Sequence, residues 1–535
     1  MGCFIGRLCA GNFQLSIVKN NKNQGGCKNM SYQETYKKWC TDPYFDAQTQ
    51  EELKNLEGNE KEIEDCFYRQ LEFAREATLC LNANGIHTYL FESLRPTPEL
   101  SFAVRELGCI AGIVITASHN PREYNGYKVY WEDGAQITPP HDKNILAEVA
   151  KVTDFSMVKT MEEDEARAEN LFSIIGTDFD DKYIAQLKKQ SIHPEAAKDM
   201  KIVYTPLHGT GNIPVRRVLR ELGFTQVYVV EEQKVPDGNF PTVPYPNPED
   251  KNAWTLALEL AKKVDADIIL ATDPDADRLG VHAKDTKTGE YVSFTGNMSG
   301  MLIAEYILRE RTKTGTMPEN PALVETIVTT DMAKAVAKEY NTALIEVLTG
   351  FKYIGEQIRL FDETGSHHYV FGLEESYGCL AGTYARDKDA PVAVMMLCEV
   401  AAYYKLQGKT LWDAMVELYE KYGYYKEDLA TVTLKGIDGS QKITAMMNAF
   451  RENPPKELGG FKVLACRDYK SDCRRDMITG ETTSNVLYYE LENNAWCCVR
   501  PSGTEPKIKY YFGVKGENFK DAEEKLEAIK KAMTE

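Results

Sequence analysis

Short apolar runs rich in β-branched residues recur along this chain, and several stop at a polar loop before a helical pattern begins. IAGIVITAS over 110–118, KIVYTPLHGTG over 201–211 and DIILATD over 267–273 all behave this way. IHTYLFES over 86–93 reads as a further strand, and ELSFAVRELG over 99–108 as a helix closing on Gly108. RRVLRELGF and WTLALELAKKVDA carry helical spacing, and TQVYVVEE reads as a strand. Such alternation implies a parallel sheet with helices on its faces. A cluster of Lys, Gly, Pro and Asn near 315–322 marks a restart. ALVETIVTTDMAKAVAKEYN and ALIEVLTGFKYIGEQI then each give a strand followed by a helix. The stretch 141–190 is acidic and helical, with MEEDEARAEN (161–170) expected on a solvated face. From about Leu429 the texture changes to LATVTLKG, a helix, FKVLACRDYK, NVLYYELEN, WCCVRPSG and KIKYYFGV, closing on a Lys/Glu-rich helix. That order reads as an antiparallel α+β unit. The expected fold class is α/β, with units at 30–195, 196–314 and 315–428 and an α+β unit at 429–535.

Length agrees, since 535 residues correspond to about three to five domains. The formal net charge of −18 argues against a broad nucleic-acid binder, while a few local cations still suffice for a phosphorylated small molecule. No run of 18 apolar residues is present, so no membrane span is expected. The 13 cysteines are odd in number and irregularly spaced, which fits reduced thiols in the cytoplasm.

Residues 1–29 differ from the rest: they hold Arg7, Lys19, Lys22 and Lys28, three cysteines and no acid. Gly6 stands where a myristoylation signal wants Ser or Thr. This stretch is expected to be a disordered or non-native extension, or sequence upstream of a start at Met30. Beyond it, Trp39, Tyr44, Phe45 and Leu53 suit one apolar helical stripe. Asp65, Phe67, Leu71 and Phe73 suit a second, which stops at Asn84-Gly85.

Four loops carry chemistry. Thr116-Ala117-Ser118-His119-Asn120-Pro121 follows a buried strand, where α/β folds bind ligands, and sets a hydroxyl beside a titratable imidazole. Asn125-Gly126-Tyr127-Lys128 adds a cation that a tight turn can fold back toward Ser118. In Asp273-Pro274-Asp275-Ala276-Asp277-Arg278, three alternating carboxylates after an apolar strand can converge on one hard cation such as Mg²⁺. Gly372-Leu373-Glu374-Glu375-Ser376-Tyr377-Gly378 places acids and a hydroxyl where they can read a polyol, with Arg386-Asp387-Lys388-Asp389 close behind. Arg500-Pro501-Ser502-Gly503-Thr504-Glu505-Pro506-Lys507 offers a forked cation, hydroxyls and free amides to a phosphate. Together the loops point to phosphoryl transfer on a sugar phosphate. No Walker or protein-kinase set suggests ATP as donor.

In this order TASHNP, DPDADR, GLEES and RPSGTEP resemble the α-D-phosphohexomutase superfamily, from about Met30 to the C-terminus, and most of all its longer bacterial phosphoglucomutases. The resemblance implies four domains around a central cleft and interconversion of glucose 1-phosphate and glucose 6-phosphate, with mannose or pentose phosphates as alternatives. It implies that Ser118 carries the phosphate and that Asp273, Asp275 and Asp277 hold Mg²⁺ with it. His119 and Lys128 would assist proton transfer and neutralise charge. Arg278 would lie by the metal loop, Glu374 and Ser376 would read sugar hydroxyls, and Arg500, Ser502, Gly503 and Thr504, with Lys388, would bind the non-reacting phosphate. Glucose 1,6-bisphosphate is the implied intermediate and activator, and a phosphosugar the only implied partner, with neither nucleic acid nor membrane involved.

One family element is missing. The superfamily carries a glycine-rich GTxGLR-type loop near its N-terminus whose arginine faces the active site, and no such motif precedes Ser118. Residues 70–73 (QLEF) run straight into AREATLCL at 74–81. The junction near Phe73-Ala74 reads as an internal deletion that removes the first strands of domain 1, and a truncated relative with impaired activity is the corresponding expectation.

Overall fold

The β-branched runs become strands because their side chains pack well on a pleated, buried surface. The computed structural model describes residues 14–19, 69–196, 199–434, 437–471, 484–502 and 507–534. The chain divides into two compact units, one from the chain up to Phe294 together with Gly378–Thr410, the other from Thr295–Tyr377 with Leu411–Glu535.

The first unit holds two sheets. Strand β1 is Gln14–Lys19, helix α1 Arg69–Asn82, β2 His87–Phe91, α2 Thr97–Glu106, β3 Ala111–Ile115 and β4 Tyr127–Trp131. Helices α3 (His141–Val149) and α4 (Glu163–Ala168) precede β5 (Phe172–Ile175) and α5 (Thr177–Lys188). The strand order is β4-β3-β1-β2-β5. Only β2 and β5 run parallel; β1 pairs antiparallel with both β2 and β3, and β3 antiparallel with β4. Two expectations are corrected here. The sheet is mixed rather than parallel, because residues 116–126 return the chain directly beside β3 as a hairpin. Residues 14–19, expected within a disordered extension, form a strand in the middle of the sheet. The suspected junction at Phe73-Ala74 lies inside the uninterrupted helix α1, with Ala74 fully buried. The stripe at Trp39, Tyr44, Phe45 and Leu53, with Asp65 and Phe67, lies outside the described residues.

The second sheet is built from β6 (Lys201–Thr205), α6 (Asn212–Glu221), β7 (Gln226–Val229), α7 (Thr255–Val264), β8 (Ile268–Thr272), β9 (Leu279–Lys284) and β10 (Tyr291–Phe294), in the order β10-β9-β8-β6-β7. β6 is parallel to β7 and β8, while β9 and β10 are antiparallel additions. Every residue of β8 is buried, as its unbroken apolar run IILAT requires.

The second unit opens with α8 (Gly296–Thr314), capped by Thr295, whose hydroxyl accepts from Met298 N at 3.2 Å. β11 (Pro321–Thr326), α9 (Met332–Glu339), β12 (Ala343–Val347), α10 (Phe351–Thr364) and β13 (His368–Leu373) follow, with β11 parallel to both β12 and β13. Helix α8 lies so close to β13 that a Cβ on Gly300 would come within 2.8 Å of Leu373. It therefore belongs to this unit, and the compact division falls at Phe294/Thr295, not at 314/315. β14 (Cys379–Ala381) and α11 (Ala390–Lys405) return to the first unit, where Glu399 accepts from Ile192 N and His193 N at 2.9 Å each. The remainder gives α12 (Leu411–Tyr422), β15 (Tyr424–Thr433), α13 (Ile437–Glu452), β16 (Glu457–Leu458), β17 (Phe461–Asp468), β18 (Leu487–Leu491), β19 (Ala495–Pro501), β20 (Lys507–Gly516) and α14 (Phe519–Thr534). Its sheet, β15-β20-β19-β18-β17-β16, is antiparallel throughout, as read from the sequence. The boundary expected at 428/429 cuts β15, which begins five residues before Leu429, at Tyr424.

Candidate active site

Strand β3 ends at Ile115, and the next three residues turn Ser118 into a left-handed backbone conformation, φ +52°. A non-glycine residue there costs on the order of 1 kcal/mol, so something must hold it. Thr116 does so: its Oγ1 accepts from Ser118 N at 2.7 Å, and Thr116 N donates to Gly126 O at 3.0 Å. Gly126 is obligatory at this crossing, since a Cβ would sit 2.4 Å from Thr116 O. Asn120 closes the turn by donating from Nδ2 to Ala117 O at 2.9 Å. Ser118 Oγ lies 3.1 Å from Asp273 Oδ2, to which it donates, and 3.1 Å from His119 Nδ1.

Asp273 begins the turn after β8. Its Oδ1 accepts from Asp277 N at 3.1 Å and Arg278 N at 3.0 Å, which folds the loop back so that Asp273, Asp275 and Asp277 converge. One oxygen from each lies within 4.8 Å of the others, and all three side chains are buried. Ala276 takes φ +52° in this turn. Thr210 braces it by donating from N and Oγ1 to Pro274 O at 2.8 and 3.0 Å. Thr97 and Thr116 each donate from Oγ1 to Asp275 Oδ2 at 3.2 Å.

Three buried carboxylates in one turn repel one another and need cations. Lys128 Nζ lies 3.0 Å from Asp275 Oδ2 and 3.3 Å from Asp277 Oδ2, and Lys388 Nζ 3.0 Å from Asp277 Oδ2. Arg278 Nε is 3.7 Å from Asp277 Oδ1 and 4.0 Å from Asp273 Oδ2. Burial opposes the charge on Asp277, but Lys388, Lys128 and Arg278 outweigh it and hold its carboxyl well below the usual range. Burial and then the charges of Asp275 and Asp277 push Asp273 well above that range. Burial and then Arg278 keep His119 well below the ordinary imidazole value, so it is neutral near pH 7. Lys128 stays protonated, because Asp275 and Asp277 outweigh the cost of its burial. Oδ1 of Asp275 and of Asp277 accept no hydrogen bond though buried, so the cluster still has oxygen donors for a hard cation.

The other predicted residues belong to the second unit. Glu374 is buried just after β13, and Glu375 Oε2 accepts from Thr326 Oγ1 at 3.0 Å. Burial and Glu374 raise the Glu375 carboxyl to about 7, against the pull of Arg500. Ser376 precedes Tyr377, which takes φ +68°. Arg500 sits near the end of β19 in register with Lys509, and Ser502 N donates to Lys507 O at 2.7 Å. Gly503 and Thr504 lie outside the described residues.

Three family models match in chain order. They are phosphoglucomutase/phosphomannomutase alpha/beta/alpha domain I over residues 65–155, domain II over 181–287 and domain III over 295–422. The phosphoglucomutase of Staphylococcus aureus strain bovine RF122 / ET3-1 is 38% identical over 472 residues, which is 87% of this chain and 83% of that protein. This chain belongs to the phosphoglucomutase/phosphomannomutase family. It is a phosphosugar mutase, an enzyme of the isomerase class. Its fold agrees with that of pp63/parafusin, a phosphoglucomutase from Paramecium in its open form (TM-score 0.65, 18% identity, 87% of this chain and 85% of that one). It also agrees with a phosphoglucomutase/phosphomannomutase family protein from Burkholderia thailandensis (TM-score 0.55, 20% identity, 83% and 82% covered).

Among the described residues of this mutase, Ser118, His119, Lys128, Asp273, Asp275, Asp277, Arg278 and Lys388 form one cluster. Lys388, expected with the phosphate loop, lies against Asp277. Arg386, two residues before Lys388, is buried and donates to Thr383 O and Ala385 O. Sequence reasoning missed Thr97 and Thr116 as supports of Asp275, and Tyr130, whose hydroxyl donates to Asp387 Oδ2 at 2.6 Å. Period-two alternation along β4 places Tyr130 on the same side as Lys128, a signal that could have found it.

Proposed function

We propose that this mutase interconverts glucose 1-phosphate and glucose 6-phosphate, with Ser118 as carrier of the transferred phosphoryl group. The observation that carries the reading is Ser118 Oγ hydrogen-bonded to Asp273 inside a three-carboxylate turn ringed by Lys128, Lys388 and Arg278. A hydroxyl held there is poised to exchange a phosphoryl group with a bound alcohol. Asp273, Asp275 and Asp277 would hold Mg²⁺ together with the phosphorylated serine, and the ion supplies neutralisation of charge on the transferring group.

The chain's own residues do the rest. A sugar hydroxyl oxygen attacks phosphorus as the Ser118 Oγ–P bond breaks, and neutral His119 accepts the hydroxyl proton. Lys128 and Arg278 balance the charge spread over the phosphoryl oxygens. The bisphosphate, glucose 1,6-bisphosphate, reorients, and its other phosphate passes to Ser118 by the same chemistry in reverse. Glu374 and Ser376 read the sugar hydroxyls, Arg500, Ser502, Gly503 and Thr504 hold the non-reacting phosphate, and Lys388, beside Asp277, balances charge on the bound phosphosugar. The partners are small phosphosugars, not nucleic acid or membrane. The net charge of −18 disfavours a polyanionic nucleic acid as partner. The odd number and irregular spacing of the 13 cysteines fit a cytoplasmic enzyme.

The test is a coupled assay of the full chain on glucose, mannose and ribose 1-phosphates with Mg²⁺ and catalytic glucose 1,6-bisphosphate. Glucose 1-phosphate should turn over fastest, though more slowly than with the Staphylococcus aureus relative, since α1 runs unbroken where the family's arginine loop would fall. A preference for another sugar overturns the substrate assignment, and turnover of none overturns the reading.

A further inference from the structure

Lys388 is not held at Asp277 by attraction alone. Its backbone N donates to Asp387 Oδ1 at 2.9 Å, and its Nζ lies 3.4 Å from the same oxygen. The other oxygen of Asp387 accepts from Tyr130 OH at 2.6 Å. Tyr130 is wholly buried, and Asp387 is 3% exposed. One residue further on, Asp389 accepts from Tyr183 OH at 2.7 Å and Tyr384 OH at 2.6 Å and caps α11 by accepting from Val392 N at 2.8 Å. In sequence Lys388 thus stands between two carboxylates, Asp387 held by the buried phenol of Tyr130 and Asp389 by buried Tyr183 and half-buried Tyr384.

Tyr130 and Lys128 lie two residues apart on β4, on one face of the strand. One strand therefore supplies Lys128 directly to Asp275 and Asp277 and reaches Lys388 through Tyr130 and Asp387. A long, rotamer-rich lysine stays in one place only if its surroundings remove the alternatives. The short phenol–carboxylate bond does this in a water-excluded site, where such bonds are strong.

We infer that Tyr130 is a positioning residue for the mutase reaction, setting Lys388 against the carboxylate turn through Asp387. This rests on the reading of Lys388 as part of the phosphosugar site. The geometry has two consequences of opposite sign. A loosened Lys388 balances substrate charge less well, so turnover falls. The same loosening leaves Asp277 Oδ2 to Lys128 alone, so a divalent cation competes with one ammonium fewer and binds more tightly.

The experiment is a double-mutant cycle on the full chain with Tyr130→Phe and Lys388→Met, reading kcat and, separately, Mn²⁺ affinity from the electron spin resonance of the free ion. Tyr130→Phe should lower kcat about tenfold with KM within about twofold. It should also tighten Mn²⁺ binding several-fold, and neither effect should recur in the Lys388→Met background. Equal factors in both backgrounds, or no change from Tyr130→Phe, overturn the proposal, because a purely structural tyrosine acts alike with or without the lysine. Asp387→Asn, which keeps an acceptor for Tyr130 but drops the charge facing Lys388, must give the same cycle and replaces Tyr130→Phe if that variant does not fold. If Lys388→Met leaves turnover unchanged, the catalytic reading of Lys388 fails, and the Mn²⁺ cycle still decides the positioning.

Discussion

At the residue scale, Asp273 shows a site trading stability for chemistry. Its carboxyl is buried beside Asp275 and Asp277 and is raised well above the ordinary range by burial first and those neighbours second. Asp273→Asn keeps one oxygen for the N–H groups of Asp277 and Arg278 and removes the cost of ionising a buried carboxyl beside two others. Without divalent cation the variant should melt higher by about 2 °C in calorimetry, while its turnover falls at least ~10²-fold. A lower melting temperature would mean that the hydrogen bonds of Asp273 outweigh the repulsion. Ser118→Ala should take up no phosphate at this loop by mass spectrometry and lose at least ~10³-fold in turnover. The alanine inherits φ +52° without the hydroxyl's bond to Asp273, so calorimetry should also show a modest loss of stability.

At the element scale, helix α8 begins against the loop that follows β13. A Cβ on Gly296 would meet Glu375 O at 2.5 Å and Tyr377 N at 2.6 Å, both backbone atoms that cannot turn aside. Gly→Ala in a helix ordinarily gains about 1 kcal/mol. Here the clash should win, displacing the loop that carries Glu374 and Ser376. Gly296→Ala should raise the KM for glucose 1-phosphate about tenfold with a smaller change in kcat, and thermal melting should fall despite the better helix former. The loops themselves were legible from sequence because each follows a strand whose apolar run is unmistakable. The direction of the neighbouring strand was not. The return of β4 beside β3 is made by residues 116–126, and antiparallel pairing there depends on Gly126 crossing Thr116 O, a contact that periodicity does not encode.

Across the whole molecule, buried acids set the pH response of stability. Burial raises Asp389 to about 6 in the first unit and Glu427 to about 7 in the second, with Tyr384, and Thr330 and Asn297 respectively, partly offsetting it. A carboxyl whose folded value lies above its unfolded one contributes full stability below the unfolded value and loses it as pH rises through the folded one. Melting temperature should therefore fall between about pH 4.5 and pH 7 through these two groups. Glu427→Gln should flatten that dependence and melt higher than the parent at pH 8; unchanged slopes would refute the assignment. The chain's own order of residues determined the strand runs, the four polar loops and the family they resemble, because each depends on neighbours within about ten positions. Only the tertiary structure decided that Lys388 faces Asp277, that Tyr130 secures it through Asp387, that residues 14–19 enter the first sheet, and that α8 joins the second unit. Those outcomes turn on which distant side chains share a buried volume, and buried charge must find its counter-charge wherever the fold brings one within reach.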